Sequence, residues 1–292
     1  MTQFFQVVIL GLSLGGIYAL MATGLTLIFG VMRIINLAHG VFMLFAAYIT
    51  LLLFNNFQID PILSILITMP LMFFLGVGIY KTLFPRIIDS PRYMEMTILL
   101  AFGLAMIVEG GLGFFFTGIY RSVNPSYAIE IFQFGTFYIP KAQLFGTLVS
   151  ILLLGLLWAL LNYTRIGYAV RATMQNRAAA QIVGVNVERV STIAFGLGMA
   201  LAGAAGSLLS VLFTFFPAKH WQWIAILMSL IVLGGLGSLM GAFTGALLLA
   251  VAAALVSHYL GPTWQPITFF LALFLVLLIK PEGLFGKKME EG

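Results

Sequence analysis

Apolar runs about twenty residues long recur down this chain, and nothing in it constrains the fold more. A helix rising ~1.5 Å per residue needs about 20 such residues to cross the hydrocarbon of a bilayer. Runs of that kind lie near 5–29, 38–54, 62–80, 95–116, 143–162, 190–213, 222–239, 241–258 and 264–280. That makes roughly nine segments, one of which is expected to be re-entrant or broken. Of the 292 residues, 62% are hydrophobic and only 8% charged, with a mean hydropathy of +1.11. So few charges cannot cover the surface of a soluble domain of this length. The expected fold class is therefore all-α: a polytopic transmembrane helical bundle of 8–9 segments. No linker or charge run divides the chain, so 1–292 reads as one membrane domain. The first run lacks a basic leader and is too long for a cleavable signal, so it is expected to stay as a span.

The short loops set an expected orientation. Arg33 follows the first run; Lys81, Arg86 and Arg92 follow the third; Arg165, Arg171, Arg177 and Arg189 follow the fifth; Lys280, Lys287 and Lys288 form the tail. Placing these basic loops in the cytoplasm puts the N-terminus outside and the C-terminus inside. The opposite loops agree: 55–61 carries only Asp60, and 259–263 carries no charge. The 117–142 loop, with Pro125, Pro140 and many aromatics, suits an interfacial hairpin. Pro217, Trp221 and Trp223 suggest another interfacial segment, with His220 and His258 as interfacial polar groups.

The net charge of +5 sits between spans and does not point to nucleic acid. With no cysteine and three scattered histidines there is no expected metal site or cofactor. No paired acids, histidine cluster or nucleophile–base pair is present, which speaks against an enzyme. A G-x-x-x-x-G-K-[ST] phosphate loop is also missing, so ATP hydrolysis would fall to other chains.

Five features stand out. Gly11 and Gly15, and Gly237, Gly241 and Gly245, recur four apart, the spacing of close helix packing in lipid. The cluster Gly234, Gly235, Gly237 reads either as a helix break lining a polar path or as a plain turn. Asn36 and His39 open the second run; they are either a capped helix start at the membrane interface or a half-helix N-terminus facing a substrate carboxylate. Glu109, deep in the fourth run, is expected to face the bundle interior or a wet path. The fifth feature is the basic segment 164–190, with its small-residue helix Ala178-Ala179-Ala180 ending in Gly184. It forms a compact knob that a soluble partner's cleft would accept, with Ile166, Val170, Ile182 and Val183 expected to bury one helix face.

Four stretches carry a resemblance: GLTLIFGVMRIINLAHG at 24–40, RATMQNRAAAQIVGV at 171–185, VLGGLGSLMGAFTGALLL at 232–249 and IKPEGLFGKK at 279–288. In this order they resemble the permeases of branched-chain amino acid ABC transporters, in particular the shorter of the two permease subunits. The resemblance implies a bacterial inner-membrane importer subunit working with a second permease, two ATPase subunits and an extracytoplasmic binding protein. Its substrate would be a branched-chain amino acid, with urea or a short amide as the alternative cargo. It also implies that 178–184 is the E-A-A-x-x-x-G loop that couples to the ATPase. Ala179, Ala180 and Gly184 match, flanked by Arg171 and Arg177, but Ala178 stands at the acid position and Asn176 replaces another frequent acid. Asn36, His39, Glu109, Gly234, Gly235 and Gly237 are then the candidates for the translocation path. A stand-alone secondary transporter would need Glu109 as its coupling group and would leave 164–190 without a role.

Overall fold

The computed structural model describes residues 2–88 and 90–286. The helices are α1 (Thr2–Met32), α2 (His39–Phe57), α3 (Pro61–Leu83), α4 (Tyr93–Phe116), α5 (Lys141–Tyr163), α6 (Arg165–Gln175), α7 (Arg177–Ile182), α8 (Val187–Leu212), α9 (His220–Gly234), α10 (Leu239–Leu260) and α11 (Gln265–Ile279). A hairpin of β1 (Ile131–Phe134) and β2 (Phe137–Pro140) lies before α5. Among the described residues, 8 segments are long and apolar enough to cross a membrane. The seventh run, 222–239, is the exception. It was expected to continue to 239, but α9 is a 15-residue helix that ends at Gly234.

The bundle has two ends, named here by their chemistry. The basic end gathers Arg33, Lys81, Arg86 and α6–α7; the hairpin end gathers 58–60, 117–140 and 213–219. At the hairpin end Asp60 caps α3, its Oδ1 accepting from the Ile62 N–H at 2.8 Å, with Pro61 at the first helical position. At the basic end Thr164, Asn176, Asn186 and Ser238 cap α6, α7, α8 and α10, each side chain accepting a backbone N–H two or three residues into its helix.

Packing centres on α8, where 83% of the most apolar stretch is buried, against 6% for the segment containing α11. Small residues set this closeness, since lipid gives helices no hydrophobic reason to associate. A Cβ at Gly206 would lie 2.1 Å from the Met43 carbonyl oxygen of α2, and one at Gly203 2.8 Å from that of Thr68 in α3. Ser207 joins the same three helices through hydroxyls: Thr50 donates to its Oγ at 2.8 Å, and Thr68 lies 2.9 Å away. Gly11 and Gly15 lie against α10, where their Cβ atoms would meet Val251 Cα at 2.8 Å and Leu247 Cδ2 at 2.9 Å. Gly241 and Gly245 face α9, within 2.1 Å of the Gly234 oxygen and 2.7 Å of the Leu230 oxygen on the same measure.

The start of α2 is not where a simple hairpin would put it. A Cβ at Gly24 would sit 3.1 Å from His39 Cε1 and 2.8 Å from the Gly198 oxygen. Gly24 is eight residues before the end of α1, roughly 12 Å along its axis at ~1.5 Å per residue. The 33–38 connector therefore turns back into the bundle, beginning at Arg33 with φ of 58°. The first turn of α9 meets the same place, because a Cβ at Gly40 would lie 2.8 Å from the His220 oxygen. Two helices thus begin inside the protein, an arrangement that protein-lined membrane interiors tolerate.

Candidate functional site

Asn36 and His39 do not lie at an interface: they are buried at 4% and 0% exposure. Asn36 was expected to be the N-cap, but the helix starts at His39 and the cap position is Ala38. The Asn36 side chain instead closes a turn, accepting from the Ala38 N–H at 3.2 Å. Its amide nitrogen has no hydrogen-bond partner. Both His39 nitrogens are also unpaired, and the Met21 carbonyl nearby makes no hydrogen bond of normal geometry with them. Across the junction His220 Nδ1 and Trp223 Nε1 are buried and unpaired as well. Buried polar groups without partners are costly and rare. Here they gather around the first turns of α2 and α9, the positive ends of two helix dipoles.

Expected as an interfacial residue, His220 is fully buried instead. The physical reason is Glu109, 111 positions away in the chain, whose Oε2 lies 2.9 Å from His220 Nε2. Trp221 Nε1 donates to that same oxygen at 3.1 Å, so the two aromatic nitrogens hold the carboxylate between α4 and α9. Sequence reasoning missed this partner because Pro217, Trp221 and Trp223 carry an interfacial signature. Glu109 does not face the deep interior: its side chain is 22% exposed. It lines a groove of about 500 Å³ with Gly110, Gly113, Phe216, Pro217 and Ala218. His258 is exposed beside Tyr259, and Glu95 is exposed in the first turn of α4.

At the basic end, α7 is a small-residue knob. Asn176 Oδ1 accepts from the Ala179 N–H at 3.0 Å, the capping role an acid would fill. The Val185 N–H returns to the Ala180 oxygen at 2.9 Å while Gly184 takes φ of +86°, the left-handed turn that ends helices. Ala180 is buried, whereas Ala178, Ala179 and Gly184 are exposed. The expected buried face is corrected here. Val170 is buried, but Ile166 is half exposed, and Ile182 and Val183 are 86% and 77% exposed. Gly167 presses α6 onto the end of α5, where its Cβ would lie 2.3 Å from the Leu160 oxygen, and the Gly184 turn leaves Ile182 and Val183 projecting. Arg171 braces this junction: it donates to Asn162 Oδ1 at 2.7 Å, with its guanidinium 5.1 Å from the Tyr168 ring centre. Arg177 is half-buried at the start of α7.

The glycine cluster is also at the basic end. Gly235 and Gly237 take positive φ of 104° and 81°, making the turn after α9. The tail covers that turn, with the Leu284 N–H donating to the Leu233 oxygen at 2.8 Å and that of Phe285 to the Gly234 oxygen at 3.0 Å. Gly234 and Gly235 are thus packed in, while Gly237 lines a cleft of about 730 Å³ with Arg33, Arg171, Ser238 and Glu282. Lys287 and Lys288 lie outside the described residues.

Helices that start inside the bundle, unsatisfied polar groups at their first turns and an exposed knob on one end define a multi-pass membrane transport subunit. The chain belongs to the family of permease components of branched-chain amino acid transport systems, which it matches over residues 7–279. It is similar to the high-affinity branched-chain amino acid transport permease LivH of Salmonella typhimurium, 28% identical over 97% of this chain and 96% of that one. A probable LivH permease of Methanocaldococcus jannaschii is 30% identical over 91% of this chain and 88% of its own. The BraD permease of Pseudomonas aeruginosa is 26% identical over 98% and 96%. No solved structure matches the chain.

Proposed function

We propose that this chain is the transmembrane permease subunit of an ATP-driven importer of branched-chain amino acids, a multi-pass protein of the bacterial cytoplasmic membrane. It does no hydrolysis of its own. A second, related permease would complete the pathway, two ATPase subunits would power it, and an extracytoplasmic protein would deliver the substrate. The basic end faces the cytoplasm, as the distribution of arginine and lysine favours.

The observation that carries this reading is the knob of α7. Its small residues and projecting Ile182 and Val183 stand free of the bundle, while Ala180, Arg171 and the Thr164 cap anchor it to α5 and α6. Exposed aliphatic residues beside arginines suit a soluble partner more than a lipid surface. Movement of a docked ATPase would then pass through α6 to α8, the most buried helix. The path runs through the junction of α2 and α9, where Asn36, His39 and His220 would find partners in the substrate's polar groups, and leaves past the turn at Gly234–Gly237. A mostly apolar route with a few polar groups suits a zwitterion with an aliphatic side chain.

Reconstitution of this chain with its partner subunits in proteoliposomes tests the reading. L-leucine uptake should require both ATP and the binding protein. Uptake at full rate without ATP would overturn it.

A further inference from the structure

We propose that the groove at Glu109 is an entry site for the substrate, and that the free oxygen of Glu109 binds its α-ammonium group. The inference rests on the importer reading above and adds a group-specific contact to it.

The geometry of one carboxylate is the starting point. Among the described residues, both hydrogen bonds to the Glu109 side chain, from His220 and Trp221, end on Oε2. Oε1 accepts none, and the side chain keeps 22% of its surface open. A carboxylate on the outward side of an apolar helix is expensive against lipid, so its surroundings must be wet or occupied by a cation. Among the described residues no lysine or arginine pairs with Glu109: Lys219 Nζ donates to the Thr214 oxygen at 2.6 Å, and Arg121 is exposed and makes no ion pair with the carboxylate. Oε1 is thus left open to a cation from outside the chain.

The rest of the groove fits what an ammonium group would bring with it. Its lining beside the carboxylate is apolar, from Met106, Phe216 and Pro217, and its volume of about 500 Å³ suits a small molecule. At Gly110 and Gly113 of α4, and at Gly118 just beyond it, a Cβ would meet nothing within 4 Å, so this wall is bare backbone that a ligand can approach closely. A carboxylate at one side of a shallow apolar groove selects an aliphatic primary ammonium. A neutral amide or a sugar would leave Oε1 without a charged partner. One residue touches both the groove and the proposed path: the His220 that holds Glu109 also packs its carbonyl on Gly40 at the start of α2.

The chain contains no cysteine, which permits a direct test. Ala218→Cys places one thiol in the groove wall of the assembled transporter, held in lipid nanodiscs, and its alkylation by N-ethylmaleimide is followed on this chain. L-leucine and 3-methylbutylamine, which both carry the ammonium, should slow alkylation. 4-Methylpentanoate, with the same aliphatic skeleton but no ammonium, should not. Glu109→Gln keeps an acceptor for His220 and Trp221 but should weaken protection about tenfold, the scale of one charge-assisted hydrogen bond. Glu109→Asp should restore part of it, and co-purification with the partner subunits checks that each variant assembles. Equal protection by all three compounds, no protection by any, or protection unchanged in Glu109→Gln would overturn the proposal. Leucine uptake that persists while protection is absent removes this site alone; protection without ATP-dependent uptake removes the importer reading and leaves the site.

Discussion

Two sets of glycines divide this molecule. On α8, Gly196, Gly198, Gly203 and Gly206 are pressed against α1, α2 and α3, so that a methyl group at any of them would meet an atom within 2.9 Å. On α4 and α5, Gly103, Gly110, Gly111, Gly113 and Gly155 face open space, with nothing within 4 Å. The first set builds the closely packed half around α1, α2, α3 and α8. The second lies on helices that are mostly uncovered, with 17% and 22% of their most apolar stretches buried. Glycine alone does not tell packing from exposure. What separates the sets is whether an atom of another helix, backbone or side chain, comes within reach.

The largest expected effect tests the packed set. Gly206→Leu must displace the Met43 carbonyl, 2.1 Å from the new Cβ, with Ala46 close behind at 2.8 Å. Overpacking of a backbone contact with no room to relax should cost about 3 kcal/mol or more. The measurement is the fraction of chain recovered folded and monodisperse after heating in detergent. A melting point equal to wild type would mean that the α2–α8 approach is not needed.

Next comes Gly184→Trp, on a glycine as bare as those of α4 but placed on the knob. Nothing lies within 4 Å of it, so bulk adds no internal clash, and the +86° φ should cost about 1 kcal/mol. ATP-driven uptake should nevertheless fall at least ~10-fold, a coupling loss of about 1.4 kcal/mol, while membrane insertion stays intact. Normal uptake would remove α7 from the coupling path. This variant separates an exposed glycine with a job from one without.

Ser207→Ala probes the hydroxyl junction inside the packed half. It strips Thr50 and Thr68 of their shared partner and should cost about 1 kcal/mol, within the range seen for hydrogen bonds between membrane helices. Unfolding of wild type and variant in a graded denaturing detergent gives the difference; a change of sign would show that the hydroxyls burden the core.

A smaller effect is expected at the hairpin end, where the Tyr127 hydroxyl donates to Asp60 Oδ1 at 3.1 Å. Burial first, and then the Asp60 charge, push the Tyr127 pKa up from its ordinary value of 10.0. For an acid raised on folding, the stabilisation is fully present below the unfolded pKa and is lost as pH rises toward the folded one. Tyr127→Phe should therefore cost about 0.5–1 kcal/mol. That difference should stay constant from about pH 6 to 9 and shrink above about pH 10, read from melting curves across that range. A difference that grows with pH would mean the tyrosinate is the stabilised form.

The sequence made the spans legible because hydropathy needs only a window of neighbours. It made the knob legible too, since Asn176, Ala179, Ala180 and Gly184 act on each other within one turn. Depth was not legible. Arg33 in the connector 33–38 marks a loop between two runs, but nothing local tells a loop at the membrane surface from one that turns back, which hides that α2 begins inside the bundle beside Gly24. The length of α9 was obscured for a different reason: Leu236, Leu239 and Met240 continue the apolar run past the turn at Gly235. His220 was misplaced because the partner that buries it lies on a distant helix, and no local pattern announces Glu109. The basic segment's aliphatic residues went wrong in the other direction. Ile182 and Val183 have the periodicity of a buried face, but a helix of six residues has no second face to turn inward.

The smallest expected effect lies at Gly155, exposed on α5 away from both the knob and the groove. Leucine there meets no neighbour within 4 Å, adds apolar surface to a face that already carries Leu152 and Leu156, and replaces the poorest ordinary helix former. Gly155→Leu should shift stability by no more than about 0.5 kcal/mol, as is usual for surface positions without special contacts. If α5 faces only lipid, assembly with the partner subunits should also be unchanged, measured by co-purification. If the variant keeps the isolated chain's melting point but loses its partners, the bare glycine belongs to a subunit contact. The division between the two sets would then run between contacts made within the chain and contacts made across the complex.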